Sequence, residues 1–502
     1  MSTDRWYTPL LRPMILIAAV GLFTKVFQAA AGIFIAHKFG AGTLTDAYML
    51  AKSLPIGVYL IADSLLYNSF VPVYRRYRED NAPGYLAAVA LLGSMAALIL
   101  AALAILGAAP ILALLAPGGD PNTRMAAASL LRLTGLAVLF AIPASLLKAF
   151  NACHDRYLLV SVDGLLISAS LVGALILAPA DWGLVPVAAA LPVAFVVLAL
   201  IQAAAARQDF TFGRPSLGSP LLREMAALVA PLVALTLLQQ VNVLFMNAVA
   251  SFIGTGAISC LNYSYSIAQM PVGVVDLILF SALFPFAAAL AAHGDLPQLR
   301  YVYRDAGRLI VLTLAPASLW LILQRHDVVQ FILEHGRFDT QASVTTAWGL
   351  WGHALAIPFW VLEALGCRCL FATRKHWQYC HIVAARLGVN VLLCILLVPA
   401  FGVAGVSLAF AASFAAGALL SRWAVLRPVS GDTKPKQPPT VYFGILLAFS
   451  LLIVWWAVKA ARFAVPPDLP LSSLARLIAA AAAATTGVAV LHGAAWRLRR
   501  TR

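Results

Sequence analysis

The sequence contains two similar stretches about 215 residues apart, 39-FGAGTLTDAYMLAKSLPIGVYLIADSLLYNSFVP-72 and 252-FIGTGAISCLNYSYSIAQMPVGVVDLILFSALFP-285. Each copy has Gly-x-Gly before a long apolar segment, Pro-x-Gly within that segment, and Phe followed closely by Pro at its end. We interpret them as equivalent helices of an internal repeat, the alternative being chance similarity between Gly- and Pro-containing membrane helices. Transporters are commonly built from such paired helical bundles.

The rest of the chain is as apolar as these stretches. Of its 502 residues, 62% are hydrophobic and 11% are charged, and the mean hydropathy is +0.89. Soluble proteins have roughly a quarter charged residues, so this composition predicts an all-α integral membrane protein. About fourteen transmembrane helices are expected, at residues 11–37, 44–73, 84–108, 124–152, 157–179, 183–206, 226–252, 257–291, 306–324, 342–372, 378–399, 402–426, 440–461 and 471–496.

The positive charge is distributed unevenly between the connections. If the N-terminus is cytoplasmic, the inner connections and both termini hold 24 of the 35 Lys and Arg residues, with Lys148 counted among them. Cytoplasmic loops of membrane proteins are enriched in Lys and Arg. We therefore predict a multi-pass membrane protein with both termini in the cytoplasm, and we attribute the net charge of +15 to topology rather than to nucleic-acid binding.

The order of spans and polar connections suggests the domain organisation. We predict a first six-helix lobe at 1–206, a cytoplasmic connection at 207–225, a second six-helix lobe at 226–426, a cytoplasmic linker at 427–439, and two extra helices with a basic tail at 440–502. The six cysteines lie in or beside apolar segments without metal-site spacing, which favours buried thiols. No cofactor, metal site or catalytic constellation is predicted, so a transporter is favoured over an enzyme.

Four stretches together resemble the MviN/MurJ family of the MOP transporter superfamily: 39-FGAGTLTDAY-48, 70-FVPVYRRY-77, 271-PVGVVDLILFSALFP-285 and 331-FILEHGRFDTQA-342. The resemblance implies two six-helix lobes, related by a pseudo-two-fold repeat, around a central cavity, plus two C-terminal helices. It also implies translocation of an undecaprenyl-pyrophosphate-linked saccharide, typically lipid II, from the cytoplasmic to the periplasmic leaflet of the bacterial inner membrane. The implied partners are this substrate, membrane lipid and a possible coupling ion, proton or sodium, and we expect a monomer.

Ionisable residues inside the predicted spans are the candidate functional residues, because each is costly in lipid unless it faces a cavity or a partner. Lys25 lies about 21 Å along the first helix and matches a cavity arginine of the family. We interpret it as a contact for the pyrophosphate. The alternative is a lysine that is neutralised by burial or paired with an acid. Asp63 and Asp276 lie at similar depths in the two repeats and could pair with Lys25, bind a coupling ion or form structural ion pairs.

Asp46 matches a family aspartate at the start of the second helix, where a helix N-cap is an equal alternative. The other predicted contacts to the substrate are Lys52, Glu363, Tyr263 and Gln269. Two Pro-x-Gly pairs are predicted hinges: Pro55 with Gly57, and Pro271 with Gly273.

The sequence departs from the family at several cavity arginines. The matched positions are occupied by Lys25, Ala31, Val58 or Tyr59, and Ser266, so one cation of the set remains. Lysine lacks the bidentate guanidinium fork that suits phosphate. An exopolysaccharide or O-antigen repeat unit on the same lipid carrier is therefore kept beside lipid II. A cation-coupled multidrug exporter of the same superfamily and a membrane-embedded polyprenyl-sugar glycosyltransferase are the alternatives from other functional classes.

Overall fold

The computed structural model describes residues 8–76, 83–209, 213–278, 283–427, 440–464 and 472–500. Over these residues the chain is helical, with no β-strand. Eleven of the described helices are long and apolar enough to cross a membrane, and two shorter ones, Asp163–Leu177 and Leu474–Ala489, are also apolar. Each predicted span overlaps one or more described helices, in agreement with the prediction of an all-α integral membrane protein with about fourteen transmembrane helices.

The chain divides into two compact units, Met1–Ser259 and Cys260–Arg502. The helices are α1 (Thr8–Phe39), α2 (Thr43–Leu65), α3 (Val71–Arg76), α4 (Pro83–Leu106), α5 (Ala108–Leu115), α6 (Pro121–Gly135), α7 (Ala137–Cys153), α8 (Tyr157–Val160), α9 (Asp163–Leu177), α10 (Val185–Ala206), α11 (Pro220–Ser251), α12 (Ala257–Ile278), α13 (Phe284–Ala292), α14 (Leu296–Leu323), α15 (Arg325–Leu333), α16 (Thr340–Ala372), α17 (His376–Phe401), α18 (Val403–Leu426), α19 (Thr440–Ala464) and α20 (Ser472–Arg500).

Several helices begin at a polar residue that caps the first turn. A side-chain oxygen accepts a backbone N–H of that turn at Asp120, Ser219, Asp295 and Asp339. The first three of these caps are followed by a proline within the first two helical positions, where its missing N–H costs nothing. These local signals determine where α6, α11, α14 and α16 start.

Small residues allow the helices to pack closely in each unit. In the first unit, alanines of α7 pack with Tyr59, Leu191 and Phe195. In the second unit, α16 and α18 approach too closely at two glycines for any side chain to fit. A β-carbon at Gly352 would lie 2.4 Å from the backbone of Ser407, and one at Gly366 would lie 2.5 Å from the Ser421 side chain. Packing through small residues is typical of membrane helices, which gain little from hydrophobic burial against each other.

Two charged segments that were predicted to be connections are helical. Helix α14 begins at Leu296 rather than at 306, because its capped first turns remain helical although they carry Arg300, Arg304 and Arg308. Residues 325–341, predicted as a connection, contain the short helix α15. Both differences have the same cause: charged residues are unfavourable inside the membrane, but they do not prevent a segment from being helical outside it.

The predicted division of the chain also differs from the observed one. The compact units separate between Ser259 and Cys260 and not within 207–225. Helix α11 packs against α2 and against the π-helical turn Leu66–Phe70, so it belongs with the first unit. The grouping into lobes 1–206 and 226–426 stays a prediction, and residues 428–439 of the predicted linker lie outside the described part of the chain.

The predicted hinge prolines lie within uninterrupted helical stretches. Pro55 is an interior residue of α2, and Pro271 is an interior residue of α12. The irregular backbone near Pro55 is instead the π-helical turn, where Asn68 Nδ2 donates to the carbonyl of Ser64 at 2.7 Å and Ser69 Oγ to that of Leu65 at 2.6 Å. Such turns are frequent at functional sites. A hinge at Pro55/Gly57 or Pro271/Gly273 stays a prediction.

Candidate functional site

A cluster of charged side chains lies inside the first unit. Lys148 Nζ of α7 is 2.9 Å from Asp63 Oδ1 of α2 and 2.7 Å from Asp163 Oδ2 at the start of α9. The hydroxyl of Tyr59, one turn before Asp63 on α2, donates to the same Asp163 oxygen. Three membrane helices therefore meet at one ammonium group.

The cluster is largely buried but not closed. The Lys148 side chain is 8% exposed, whereas those of Asp63 and Asp163 are 25% and 19% exposed. Two carboxylates share one ammonium, so the ionised cluster carries a net charge of −1. Burying an unbalanced charge is costly, and one more positive charge, a proton or a metal cation, would balance the cluster.

Sequence reasoning missed two of these residues. Lys148 was assigned to a cytoplasmic connection because it lies near the end of its span, and Asp163 was not selected at all. The structure corrects the first assignment, since Lys148 lies within α7 and is 7% exposed. Pairing with Lys25 was one alternative for Asp63, whereas the ammonium that the structure brings to Asp63 is that of Lys148. The available signal was that Lys148 lies between apolar residues of its span, with Leu147 before it and Ala149 and Phe150 after it.

Asp46 lies on α2 but caps the start of α12. Its carboxylate accepts hydrogen bonds from the backbone N–H of Gly256 at 2.6 Å, and from the N–H and hydroxyl of Ser259 at 2.7 and 2.5 Å. These donors belong to the start of α12, while the local cap of α2 is made by Thr45, whose Oγ1 accepts the Gly42 N–H. Asp46 is 2% exposed, so the geometry favours capping, in a form that the sequence did not predict.

The two predicted lysine contacts lie on neighbouring helices of the first unit. Lys25 of α1 is partly buried, and its Nζ lies 3.3 Å from Gln28 Oε1, one turn further along. Helix α1 packs closely on α9, because a β-carbon at Gly164 would lie 2.7 Å from Thr24 Cγ2. Lys52 of α2 has its Nζ 5.2 Å from the ring centroid of Tyr48. The structure therefore places the Lys25 helix directly against the helix that supplies Asp163.

The second unit contains another buried ion pair. Glu363 Oε2 of α16 lies 3.6 Å from Arg386 Nη1 of α17, and Glu363 Oε1 accepts a hydrogen bond from the Tyr379 hydroxyl at 3.2 Å. The guanidinium of Arg386 also covers the ring of Phe414, 4.1 Å from its centroid. Glu363 was predicted to contact substrate, but its side chain is 2% exposed and lies within helix packing.

The remaining predicted residues lie on α12. Tyr263 is 3% exposed and packs edge-on against Phe338. Gln269 is partly buried. Asp276 falls on a helical position whose side chain lies outside the described part of the structure. Within the described residues, no three His, Cys, Asp or Glu side chains are grouped so that they could hold a metal ion.

An apolar cavity of about 640 Å³ lies beside the charged cluster in the first unit. It is lined almost entirely by aliphatic side chains of α2, α4, α7 and α11. Ala62 and Leu147 belong to this lining, and each directly precedes a residue of the cluster, Asp63 or Lys148. Such a surface suits hydrocarbon and not a charged head group.

Comparison with known proteins identifies the family. The family model described as lipid II flippase MurJ matches residues 35–468. A probable lipid II flippase MurJ of Synechocystis sp. is 26% identical over 425 residues, covering 78% of this chain and 77% of the relative. A probable lipid II flippase MurJ of Rhizobium meliloti is 25% identical over 515 residues, covering 95% and 93% of the two chains.

Solved structures share the fold at low sequence identity. A lipid II flippase MurJ in an inward closed conformation has a TM-score of 0.81 and 17% identity, covering 95% of this chain and 99% of that one. An inward-facing MATE family transporter of the MOP superfamily has a TM-score of 0.68 and 14% identity, covering 82% and 97%. The family match extends over most of the sequence, and the fold agrees with it. The chain belongs to the MurJ family, a family of membrane transporters and not of enzymes.

Proposed function

We propose that the protein translocates lipid II from the cytoplasmic to the periplasmic leaflet of the inner membrane by alternating access. The observation that carries this proposal is the family match over residues 35–468, together with relatives that are named lipid II flippases. An exopolysaccharide or O-antigen repeat unit on the same carrier shares the pyrophosphate and the polyprenyl chain. The comparisons name lipid II, which favours it over those two substrates.

We assign the pyrophosphate contact to Lys25, with Lys52 as the second cation. A pyrophosphate cannot enter hydrocarbon without paired charge, since burying an unpaired ion costs many kcal/mol. Lys25 is partly buried on a membrane helix and lies beside the amide oxygen of Gln28, which can hold the ammonium without neutralising it. Gln269 is assigned a hydrogen bond to the saccharide. Asp46 and Glu363 are assigned structural roles because their carboxylates are engaged within the protein, and Tyr263 because it is buried against Phe338.

We assign ion coupling to the Asp63–Lys148–Asp163 cluster. Its net charge of −1 leaves room for one coupling cation, and the exposed fractions of Asp63 and Asp163 give that cation access. The cluster is also connected to the substrate helix, because Thr24 next to Lys25 packs on Gly164 next to Asp163. Binding of a cation at the cluster can therefore change the packing of α1.

We also propose that both termini face the cytoplasm. The inner connections and the termini hold most of the Lys and Arg residues, and this bias sets the orientation of bacterial membrane proteins. Single cysteines introduced at position 2 and at position 500 into a cysteine-free chain should be protected from a membrane-impermeant maleimide in intact cells. Labelling at either position before lysis would reverse the orientation.

The transport proposal is tested in cells depleted of their own lipid II flippase. Expression of this chain should restore growth and the appearance of lipid II at the outer leaflet. Lys25→Ala should abolish rescue at unchanged protein level, because it removes the pyrophosphate cation. Lys459→Ala, which removes an exposed lysine that lies 5.8 Å from the ring centroid of Trp455, is the matched control and should rescue normally. Absence of rescue by the well-expressed parent chain would exclude lipid II as the cargo.

A further inference from the structure

A second pocket lies within the second unit, at the ends of four helices. It has a volume of about 420 Å³ and lies between the starts of α14 and α17 and the ends of α16 and α18. Three of its lining residues are basic, and each comes from a different chain segment: Arg300 from the first turns of α14, Lys375 from the residue before α17, and Arg427 from the residue after α18. Among the described residues that line it, none is Asp or Glu.

The backbone adds to the positive potential of this pocket. Lys375 is the N-cap position of α17, and no side chain caps that helix end. The first amides of a helix carry partial positive charge, which favours an anion beside them. Arg300, Arg304 and Arg308 follow each other at one-turn spacing on α14, an arrangement in which like charges repel each other. An anion bound in the pocket would relieve this repulsion.

Basic residues at helix ends of the first unit are engaged in ion pairs. Arg75 pairs with Asp155 at 2.6 Å, and Arg156 pairs with Asp209 at 2.6 Å. Arg76 likewise pairs with Glu224. The first unit thus supplies its own carboxylates for the arginines that follow its membrane helices. The pocket in the second unit belongs to the connections that the charge bias assigns to the cytoplasm, and three basic residues from different segments converge on it.

We propose that this pocket binds the phosphodiester head group of an anionic phospholipid of the cytoplasmic leaflet. Basic pockets between the cytoplasmic ends of membrane helices suit such head groups, because the anion and the cations lie at the same depth. Leu296, Leu299 and Val425 complete the lining and offer apolar contact to the glycerol and the first methylenes. Arg427 is positioned by the ring of Trp423, 5.4 Å from its guanidinium carbon.

The proposal is tested by lipid titration of the delipidated full-length protein in detergent, with bound lipid counted by native mass spectrometry. The probes are phosphatidylglycerol and phosphatidylcholine with identical acyl chains. Phosphatidylglycerol should bind at least tenfold more tightly. The triple variant Arg300→Gln/Lys375→Gln/Arg427→Gln should bind phosphatidylglycerol about 100-fold more weakly than the parent, because each cation removed should cost about a factor of five in affinity.

The control is Arg132→Gln/Arg214→Gln/Arg337→Gln, which makes the same change in net charge at three exposed positions outside the pocket lining. The affinity of this control variant for phosphatidylglycerol should equal that of the parent. The double variant Lys375→Gln/Arg427→Gln alters two exposed side chains, so it should fold even where the triple variant does not. Its affinity for phosphatidylglycerol should be about 25-fold lower than that of the parent. Equal affinity for both lipids, an equal loss in the control, or full competition by soluble glycerol 3-phosphate at lipid concentrations would overturn the proposal. The binding measurement does not require transport, so it stands or fails separately from the lipid II assignment.

Discussion

Each unit holds a buried ion cluster at an equivalent place in the repeat, but the signs of the charges are exchanged. Glu363 of α16 lies about 215 positions after Lys148 of α7, which is the spacing of the two repeated stretches. The opposite charge comes from the next membrane helix in both cases, from Asp163 of α9 in the first unit and from Arg386 of α17 in the second. Both units therefore have a charged residue at this position of the repeat, a lysine in the first and a glutamate in the second, each paired with the opposite charge.

The two clusters differ in charge balance and in access. The first contains an additional carboxylate, that of Asp63, and its two acidic side chains are 25% and 19% exposed. The second pairs one carboxylate with one guanidinium, and its side chains are 2% and 8% exposed. A balanced and closed pair holds helices together, whereas an unbalanced and accessible one can exchange an ion. This difference is the basis on which we propose a stabilising role for the second cluster and ion coupling for the first.

Removal of Lys148 should have the largest effect. Lys148→Met leaves two carboxylates facing each other without an ammonium, and breaking a buried pair in this way costs about 3–5 kcal/mol. The midpoint of thermal unfolding in detergent should fall steeply and rescue should be lost. Lys459→Met, at an exposed lysine that contacts an aromatic ring, should lower the midpoint only slightly.

Partial recovery of that midpoint is expected when the two acids are neutralised in the same chain. Lys148→Met combined with Asp63→Asn and Asp163→Asn removes the unpaired charges, so the triple variant should unfold at a higher temperature than Lys148→Met alone. A triple variant no more stable than the single one would show that Lys148 acts through packing and not through charge.

Neutralising Glu363 should destabilise the second unit without altering the dependence of transport on ion gradients. Glu363→Gln leaves the Arg386 guanidinium without its carboxylate but retains an oxygen for the Tyr379 hydroxyl, so a cost of about 2–3 kcal/mol is expected. The surviving protein should transport with the same response to ion gradients as the parent. A changed response, measured in proteoliposomes, would mean that the closed pair also participates in coupling.

The two tyrosines offer a matched pair of smaller changes. Tyr59→Phe and Tyr379→Phe each delete one hydroxyl that donates to a buried carboxylate, and a hydrogen bond to a charged group contributes about 1.5–3 kcal/mol. Both variants should lower the unfolding midpoint by similar amounts, but Tyr59→Phe alone should change the ion dependence of transport. Identical transport in the two variants would remove the functional distinction between the clusters.

The sequence predicted the elements of this molecule better than its contacts. Apolar length and turn chemistry predicted every span, because the hydrocarbon thickness of a bilayer constrains helix length directly. Asp63 was selected because a charge inside a span is costly, and the structure shows it in an ion pair. Lys148 was overlooked since it lies close to a helix end, where a lysine usually reaches water. Partners on three different helices are determined by tertiary packing, which no local pattern encodes.

Asp46 shows the same limit in another form. Its position at a helix start suggested a cap for that helix, whereas its carboxylate caps residues more than two hundred positions away. Local spacing identifies the residue type that a cap requires, and it does not identify which helix end will receive it. The sequence therefore predicted candidate residues, while the partner of each depended on the fold.

The smallest effect on stability and the most specific effect on transport are expected from Asp63→Asn. The amide retains an oxygen for Lys148 Nζ, and the variant cluster has one carboxylate for one ammonium, like the second unit. The free energy of unfolding should change by less than about 1 kcal/mol, because a hydrogen bond replaces an ion pair in a cluster that stays balanced.

In proteoliposomes, flipping by Asp63→Asn should no longer be accelerated by an imposed proton or sodium gradient. Asp209→Asn, which neutralises the partner of Arg156 outside the cluster, should keep that acceleration. An unchanged gradient response in Asp63→Asn would place coupling elsewhere, and the additional carboxylate of the first unit would then have only a structural role.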